Sequence, residues 1–398
     1  MPMPASIRTA CLHSALVVRA PVRRVGINAV FLQPQMGGIE TYVRSLVPAL
    51  LEARPTVELS LFVNQAGKDL LAAEWWAERV RLITHPLLGR RYTRALTELT
   101  VLGWLASREP FDILHSVALT GPLVTRPAHV MTIGDVTWIR HPDPTELQTV
   151  RLWKIMVPPV ARRADRVLTY SEASRAEVAE DLRVPLENID AIPLGPGAAI
   201  GAAPTDEAEL RAKLTLRAGP IVLAVSALKE HKNVGRLVEA MGLVRKSVPD
   251  AVLVVPANPT PLQTQLERRA SELGIPEGVV FPGWVSEADL EALYRYASCL
   301  AFPSLREGFG LPILEAMRRG LPVVSSNTSS LPEVGGDAVL YFDPYRIEEM
   351  ANAVSRVLRD RGLAAELERK GTDRQRMFTW RRTAEDTFAS YERARSRP

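Results

Sequence analysis

The stretch SLREGFGLPILEAMRRGLPVV, residues 304–324, joins a short apolar strand to a helix across a glycine-rich turn. Two glutamates bracket that turn, Glu307 before it and Glu315 about one turn into the helix, with no other charge between them. Pro312 suits the first turn of a helix, because the N–H that it lacks has no partner there. The pattern predicts a strand, a turn open to a ligand, and a helix whose start faces that ligand.

Each part of this turn favours a different chemical group. Gly308 and Gly310 let the backbone approach a ligand with no Cβ in the way, and the helix start offers unpaired N–H groups to an anion. A carboxylate instead suits hydroxyl groups, which donate to its oxygens. A ligand with hydroxyls at both ends and an anion in its middle fits, and nucleotide sugars have that layout. Taken singly, Glu315 is equally explained as a surface helix residue and Glu307 as a capping group.

The rest of the chain alternates short apolar runs with helical patterns, which predicts parallel sheets covered by helices on both faces. The predicted strands lie in residues 25–32, 57–64, 80–86, 111–118, 129–136, 165–171, 189–195, 220–228, 251–257, 278–283, 299–304, 322–327 and 338–344. The helical patterns lie in residues 37–53, 92–107, 147–163, 234–245, 263–273 and 287–297, with more helices to about residue 391. The fold class is therefore α/β, with doubly wound, Rossmann-like parallel sheets.

A length of 398 residues fits two domains rather than one core. The segment GPGAAIGAAPTDE, residues 195–207, reads as a linker because it is rich in Gly, Ala and Pro. We predict an N-terminal extension and a C-terminal helix that packs back on the first domain, around two Rossmann-like domains facing a cleft. The predicted segments are 1–21 (extension), 22–200 (first domain), 201–217 (linker), 218–378 (second domain) and 379–398 (C-terminal helix). Ligands of open parallel sheets bind beyond the carboxyl ends of the strands, so the site is expected on loops facing the cleft.

Composition excludes several classes of protein. The apolar fraction of 46% and charged fraction of 24% are those of a soluble globular protein, and a net charge of +4 does not imply nucleic acid. Cys11 and Cys299 form neither a disulfide framework nor a metal-ligand pattern, which favours a reducing cytoplasm. No apolar run has transmembrane length, and the N-terminus makes a poor signal peptide.

Basic residues cluster in GRRYTR (89–94), ARRADR (161–166) and MRRG (317–320). Each cluster is either a solvated face or a contact with anionic lipid head groups at a membrane surface. The sequence alone leaves both interpretations open.

Taken together, these motifs resemble the retaining glycosyltransferases of family 4, which have the two-domain GT-B architecture. Glu307 and Glu315 match the E-x7-E element of that family, and SSLPEVGGDAVLYFDP (329–344) is similar to the segment that follows it. VSALKEHKNVGRLVEAM (225–241) resembles the opening of the donor domain, and GGIETYVRSL (37–46) the N-terminal glycine loop. The resemblance spans nearly the whole chain from about residue 23.

The resemblance implies a role for each matching residue. Glu315 would accept hydrogen bonds from the ribose, Glu307 would contact hydroxyls of the donor sugar, and Lys232 would neutralise the leaving diphosphate, where negative charge builds up. Without the resemblance, Lys232 is equally a surface lysine. The remaining donor contacts would come from Gly308, Phe309, Gly310, Leu311, His231, Ser226, Trp284 and Val285, and the N-terminal loop would contribute Gly37 and Gly38. Trp284 would lie near the base, although a buried core tryptophan is an equal alternative.

Two positions depart from the family. Many relatives have His-Asp where this chain has Gly134-Asp135, so the contact that the imidazole makes is vacant or filled by a neighbour. Asp135 would orient the acceptor or stabilise positive charge on the anomeric carbon, and His141 is too distant in sequence to replace the missing imidazole. The second departure is His231, where relatives often have Arg, which binds diphosphate more firmly than a neutral imidazole does.

The implied function is transfer of a hexose from a GDP- or UDP-sugar to a saccharide, lipid-linked or small-molecule acceptor, with retention of configuration. No metal-binding Asp-x-Asp pair appears, so neither a metal ion nor another cofactor is expected. Two alternatives remain: an epimerase or hydrolase of nucleotide sugars on the same fold, and a catalytically silent, sugar-binding scaffold. Only the missing histidine supports the scaffold.

Overall fold

The computed structural model describes residues 21–88, 94–142, 147–197 and 202–396. The predicted N-terminal extension, apart from its last residue, lies outside the described residues, as does the basic segment 89–94 apart from Arg94. None of the helices in the described ranges is long and apolar enough to cross a bilayer.

Seven strands form the first sheet, and all of its neighbouring strands are parallel. They are β1 (Arg24–Ala29), β2 (Glu58–Val63), β3 (Val80–Ile83), β4 (Ile113–Ser116), β5 (Ala128–Thr132), β6 (Arg166–Thr169) and β7 (Ile189–Ala191). Their order across the sheet is β3-β2-β1-β4-β5-β6-β7, so the direction of winding reverses between β1 and β4.

The second sheet repeats this plan with six parallel strands. They are β8 (Ile221–Leu223), β9 (Val252–Val254), β10 (Val279–Val280), β11 (Cys299–Phe302), β12 (Val323–Ser326) and β13 (Val339–Phe342). The order β10-β9-β8-β11-β12-β13 places the reversal between β8 and β11. In doubly wound sheets this reversal opens a crevice at the carboxyl ends of the two strands, which is where ligands bind.

Helices cover both sheets. Those that follow strands of the first sheet are α1 (Gly38–Ala53), α2 (Gln65–Ala72), α3 (Arg94–Arg108), α4 (Thr137–Arg140), α5 (Leu147–Arg163) and α6 (Glu172–Leu182). The later helices are α7 (Glu207–Lys213), α8 (Val234–Ser247), α9 (Pro261–Glu272), α10 (Glu287–Tyr296), α11 (Leu311–Arg318), α12 (Leu331–Gly335), α13 (Ile347–Arg359), α14 (Arg361–Gln375) and α15 (Trp380–Arg395). The central strands β1, β4, β8 and β11 are almost entirely buried, as expected for parallel strands covered on both faces.

The predicted fold class is confirmed, and each predicted strand appears. The observed strands are shorter than the predicted runs, because the runs also include the buried loop residues that follow each strand. The predicted linker is 201–217, and its described part, residues 202–217, contains α7 and contacts the second domain. Lys213 Nζ lies 2.5 Å from Asp289 Oδ2, and Thr205 Oγ1 donates to Asp289 Oδ1 at 2.8 Å.

The C-terminal helix α15 packs on the first domain, against α1, β5 and β6. Arg54 pairs with Glu392 at 2.8 Å, and the Thr383 hydroxyl donates to the Pro193 carbonyl at 2.8 Å. Tyr391 is fully buried, and its hydroxyl lies 2.8 Å from Nδ1 of His115 on β4. The end of the chain thereby completes the core of the first domain.

Candidate active site

The turn between β11 and α11 lies at the reversal point of the second sheet. Gly310 precedes α11 with φ 113° and ψ 47°, a backbone conformation that favours glycine. A Cβ at this position would also lie 2.8 Å from Leu331 Cδ2. Pro312 occupies the first turn of α11. The turn is therefore a close-packed entry into an eight-residue helix.

Serine hydroxyls hold three successive carbonyls of this turn. Ser329 and Ser330 donate to the Glu307 carbonyl at 2.7 and 3.0 Å, and Ser330 also donates to the Phe309 carbonyl at 2.8 Å. The Gly308 carbonyl accepts from two serines of the first domain. Because the C=O and N–H of a peptide point in opposite directions, the amides are turned away from these serines. The Phe309 side chain is 5% exposed and packs in the core, so only its backbone is available to a ligand.

Glu307 and Lys232 form an ion pair, with 2.7 Å between Oε1 and Nζ, and their side chains are 12% and 20% exposed. Lys232 ends a short 3₁₀ helix that follows β8, and the next residue, Asn233, has a left-handed backbone. The buried Asn233 amide group donates to the carbonyls of Pro303 and Pro344 at 3.1 and 2.9 Å. These bonds place the lysine beside the turn, at the crevice between β8 and β11.

Glu315 lies on α11 and is partly buried. Burial raises the pKa of its carboxyl group, while the hydroxyl of Tyr294, donating to Oε2 at 2.7 Å, and the Arg319 guanidinium act in the opposite direction. Gly197, between the two domains, lies against the carboxylate so closely that a Cβ there would overlap Oε1. Arg319 belongs to the basic segment 317–320, but its side chain is only 9% exposed and pairs with Glu291 at 2.5 Å. For this arginine, both the solvated-face and the lipid-contact interpretations are therefore wrong.

Asp135 and Gly134, in the loop after β5, touch the turn from the first domain. A Cβ on Gly308 would lie 2.7 Å from the Gly134 carbonyl and 3.0 Å from Asp135 Oδ2. The other oxygen of Asp135 accepts from the Thr137 amide at 2.7 Å, which orients the carboxylate. Residues 134 and 135 are thus brought against the glycine turn.

Two histidines join this cluster. Burial is the main cause that lowers the pKa of His231 to about 4, and the positive charge of Lys232 lowers it further. The negative charge of Asp135 acts in the opposite direction. The ring is therefore neutral near pH 7. His141 also acts electrostatically on His231, and its own pKa is lowered by burial and by Arg306 and Arg140.

The residues expected near the base have different surroundings. Trp284 is 54% exposed, so the alternative of a buried core tryptophan is wrong. Val285 packs against the core. The Ser226 hydroxyl, after β8, is buried and has no hydrogen-bond partner in the described part of the chain.

The glycine loop of the first domain begins α1. Gly37 has φ 66° and ψ −133°, and the space beside it is open. A Cβ on Gly38 would lie 3.8 Å from Leu311 Cδ1, so the starts of α1 and α11 face each other across the cleft. Among the described residues, no group of three or more His, Cys, Asp or Glu side chains is arranged to hold a metal ion.

Sequence reasoning missed the residues that support this site. They are Tyr170, Ser171, Ser174, Tyr294, Ser329, Ser330 and Glu333. Ser171 and Ser174 lie in the sequence TYSEAS, where a serine precedes a glutamate and begins α6, and this start signal was available. Their contact with the second domain was not, because it depends on how the two domains meet.

Comparison with known proteins identifies relatives of both domains. Residues 36–195 match the family model described as Glycosyltransferase Family 4, and residues 206–374 match the model described as Glycosyl transferases group 1. The chain is 28% identical to O-antigen chain mannosyltransferase B of Escherichia coli over 371 residues, 89% of this chain and 96% of the relative. It is 26% identical to the GDP-mannose-dependent alpha-(1-6)-phosphatidylinositol monomannoside mannosyltransferase of Mycolicibacterium smegmatis, covering 83% and 88% of the two chains.

Solved structures share the fold. Sucrose-phosphate synthase from Thermosynechococcus elongatus has a TM-score of 0.74 at 20% identity, covering 93% of this chain and 98% of that one. Anabaena HepE in complex with UDP and glucose has a TM-score of 0.70 at 20% identity, covering 92% and 100%. Two facing doubly wound domains with this crevice define the GT-B fold. More narrowly, the chain belongs to glycosyltransferase family 4.

Proposed function

We propose that the protein transfers a hexose from a nucleotide diphosphate sugar to an acceptor hydroxyl, with retention of the anomeric configuration. One observation carries the proposal: Glu307, Lys232 and Glu315 surround a single turn at the reversal point of the second sheet. That turn presents amides and a helix start to an anion, and the two carboxylates suit the hydroxyls on either side of it.

In this proposal the donor lies along the second domain. The Glu315 carboxylate accepts from the ribose hydroxyls, and Glu307 accepts from hydroxyls of the sugar. Lys232, together with the amides of residues 308–311, stabilises the negative charge that develops on the diphosphate as the glycosidic bond breaks. Asp135 orients the acceptor from the first domain, and the departing phosphate takes the acceptor proton on the same face of the sugar. Closure of the cleft excludes water from the reaction.

Donor and acceptor classes follow from the named relatives. Two of these are mannosyltransferases, one of which is named for GDP-mannose, and HepE was solved with UDP and glucose. The donor we propose is a GDP- or UDP-hexose, with GDP-mannose the first to test. The acceptor is a saccharide or a lipid-linked saccharide of the kind used in polysaccharide synthesis, or a small natural-product hydroxyl. Since Lys232 and the helix start already supply positive charge, no divalent ion is needed, and activity should survive EDTA.

We further propose peripheral contact with an anionic membrane through α5. The helix carries four basic residues and no acidic one, and Leu152 and Ile155 on its surface are 41% and 74% exposed. Basic residues beside exposed aliphatic ones favour anionic lipid surfaces. The exposed basic residues of α5 are Arg151, Lys154, Arg162 and Arg163.

Co-sedimentation with vesicles tests this contact. Phosphatidylglycerol vesicles should bind the parent at low salt, and Leu152→Gln/Ile155→Gln should weaken that binding. Leu186→Gln, at an exposed leucine outside α5 (51% exposed), serves as the control. Equal binding to neutral phosphatidylcholine vesicles, or no binding to either, would contradict the membrane contact.

The test of the main proposal starts with a thermal-shift screen of nucleotide diphosphates and their sugars, since a ligand that binds the native state raises the melting temperature. Transfer is then assayed with the best donor, and NMR of the anomeric proton of the product reports retention or inversion. Glu307→Ala and Lys232→Ala should lower turnover strongly, and Glu315→Ala should weaken nucleotide binding. Folded variants that all transfer sugar at the parent rate would overturn the proposal.

The same assays separate the two alternatives. An epimerase or hydrolase would release an epimer or free sugar when no acceptor is present. A silent scaffold would bind a nucleotide sugar and give no turnover with any acceptor.

A further inference from the structure

Two serines of the first domain donate hydrogen bonds to a carbonyl in the glycine turn between β11 and α11 of the second domain. Ser171 Oγ donates to the Gly308 carbonyl at 3.0 Å, and Ser174 Oγ donates to the same oxygen at 3.3 Å. The two serine residues are 2% and 0% exposed. Ser171 precedes α6 and Ser174 lies in its first turn, so these buried hydrogen bonds join the start of α6 to the turn.

The second domain binds the same end of α6 at another point. The carboxylate of Glu333, on α12, accepts from the Glu172 amide at 2.8 Å and from the Ala173 amide at 2.7 Å. A carboxylate at a helix start is stabilised by the free N–H groups and the dipole there. In the closed arrangement the start of α6 is therefore held by Glu333 and in turn holds Gly308.

The bonds from Ser171 and Ser174 act on the one peptide of the turn whose carbonyl is bonded from the other domain, while Ser329 and Ser330 hold the carbonyls on either side of it. Glycine has the widest range of backbone conformations, so these bonds help to define the orientation of the Gly308–Phe309 peptide. With its carbonyl pointing to Ser171 and Ser174, the N–H of Phe309 points away from α6. The inference requires the donor diphosphate to lie on that side of the turn.

We propose that Ser171 and Ser174 are positioning residues that orient the Gly308–Phe309 amide towards the donor diphosphate only when the two domains close. The inference rests on the proposed function, and it couples closure to charge stabilisation in the transition state. In an open cleft the serines are withdrawn, the peptide rotates, and the amide no longer stabilises the leaving group. Closure then completes the site as well as excluding water.

The two serines differ in a way that separates positioning from helix stability. Ser171 also caps α6, since its Oγ accepts from the Ser174 amide at 3.1 Å. Ser171→Ala therefore removes both a cap and a bond to Gly308. Ser174→Ala removes only the bond to Gly308 and places a good helix former in the first turn. Asp360→Ala is the matched control for loss of a cap, because the Asp360 side chain accepts from the Leu363 amide at 3.0 Å at the start of α14.

The experiment measures kcat with saturating donor and the donor Kd by calorimetry for the parent, Ser174→Ala, Ser171→Ala/Ser174→Ala and Asp360→Ala, with GDP-mannose and UDP-glucose as first probes. We expect the double variant to lose about tenfold or more in kcat, and Ser174→Ala a smaller part of that loss, since one hydrogen bond contributes up to about a factor of ten. The donor Kd should change less than about threefold, because contacts to Glu315 and Lys232 remain. Asp360→Ala should lower the melting temperature and leave kcat unchanged.

Three results would overturn the inference. They are a double-variant kcat within about twofold of the parent, a loss in kcat that Asp360→Ala reproduces, and a loss that appears in Kd alone. If the double variant does not fold, Ser174→Ala decides by the same criteria. If the parent protein binds no nucleotide sugar, the proposed function is wrong. If the parent transfers sugar and the serine variants do so at the same rate, only the positioning role is wrong.

Discussion

The ring of Tyr170 fills the space into which a side chain at Gly134 would project. A Cβ on Gly134 would lie 2.5 Å from Cε2 and 3.0 Å from Cδ2 of that ring. The ring packs in turn on Tyr42, with 5.1 Å between ring centroids, and the Tyr42 hydroxyl lies 3.3 Å from Thr132 Oγ1. Glycine at this position is therefore required by the neighbouring tyrosine. The missing histidine is explained by packing and gives no independent support to a silent scaffold.

We predict that Gly134→Ala destabilises the protein by about 1–3 kcal/mol, because the new methyl group overlaps a ring that is itself packed. The same substitution made in a Tyr170→Ala background should cost much less, since the ring is then gone. Chemical denaturation of the parent, the two single variants and the double variant gives the coupling free energy directly.

Gly235→Ala is the control for the backbone effect of replacing glycine. Its Cβ would meet only Leu266 Cδ2, at an ordinary 3.6 Å, so this helical substitution should be neutral or stabilising. Additive effects of Gly134→Ala and Tyr170→Ala would contradict the steric explanation.

Because Glu307 and Lys232 form an ion pair, removing either charge should change the affinity for nucleoside diphosphate, and the two changes should have opposite signs. Without Lys232 a positive charge is lost from the diphosphate site, so Lys232→Ala should weaken binding of free nucleoside diphosphate and lower kcat. Glu307→Gln removes the negative charge that competes with the diphosphate for the lysine, 2.7 Å away. It should therefore tighten binding of free nucleoside diphosphate while lowering kcat by roughly 100-fold or more, the size of a lost charged contact in the transition state. Calorimetry and initial rates measure the two quantities.

Lys213→Ala is the control, since it also breaks a short pair between lysine and a carboxylate, at 2.5 Å to Asp289, outside the site. It should leave kcat and nucleotide affinity unchanged. If Glu307→Gln and Lys232→Ala both weakened nucleoside diphosphate binding to the same extent, the proposed competition within the pair would be wrong.

Much of the fold was predictable because its signals are local. Each strand is an apolar run bounded by Gly, Pro or polar residues, and α11 follows a glycine turn with a proline in its first turn. Helix α6 has a start signal in TYSEAS but little helical periodicity after it. Its buried stripe is Ser174, Val178 and Leu182, so a serine replaces the first apolar residue and the helical periodicity is weak.

The candidate site was predictable only in part, because only some of its residues lie in a local sequence pattern. Glu307, Glu315 and the glycines between them lie within nine residues of one another and form a pattern that can be recognised. The partners that fix them come from distant segments, such as Tyr294 on α10 and Gly197 between the domains. Such contacts are set by the packing of helices and domains, which no short stretch of sequence encodes.

Buried histidines predict that acid weakens the fold. His115 is fully buried between Tyr391 and Thr132, and burial lowers its pKa to about 3, well below the ordinary 6.5. Because the pKa of His115 is lower in the folded protein, this residue binds a proton in the unfolded chain between about pH 6.5 and pH 3 but not in the folded one. The contribution of His115 is therefore complete above about pH 6.5 and is lost progressively as pH falls towards 3.

We expect His115→Gln to reduce the dependence of the free energy of unfolding on pH between about pH 6.5 and pH 4, by up to about 1.4 kcal/mol per pH unit. Comparing the slopes of parent and variant is necessary because Glu98 and Glu315, whose pKa values burial raises, act in the opposite direction in this range. Urea denaturation at several pH values gives both slopes. Identical slopes would show that His115 does not titrate differently in the two states.

The hydrogen bond from Tyr294 to Glu315 predicts how nucleotide binding depends on pH. Burial raises the pKa of the Glu315 carboxyl, and the tyrosine hydroxyl, 2.7 Å from Oε2, counteracts that rise. Tyr294→Phe removes the counteracting bond, so the pKa rises further and the carboxylate is protonated at a higher pH. Since ribose hydroxyls need the ionised form as acceptor, affinity for nucleoside diphosphate should fall as pH is lowered, and in the variant this fall should begin at a higher pH. Calorimetric titrations between about pH 5 and pH 8 measure the two profiles. Tyr345→Phe, at a tyrosine that is 58% exposed, should follow the parent, and coincident profiles for Tyr294→Phe and the parent would remove Glu315 from the nucleotide site.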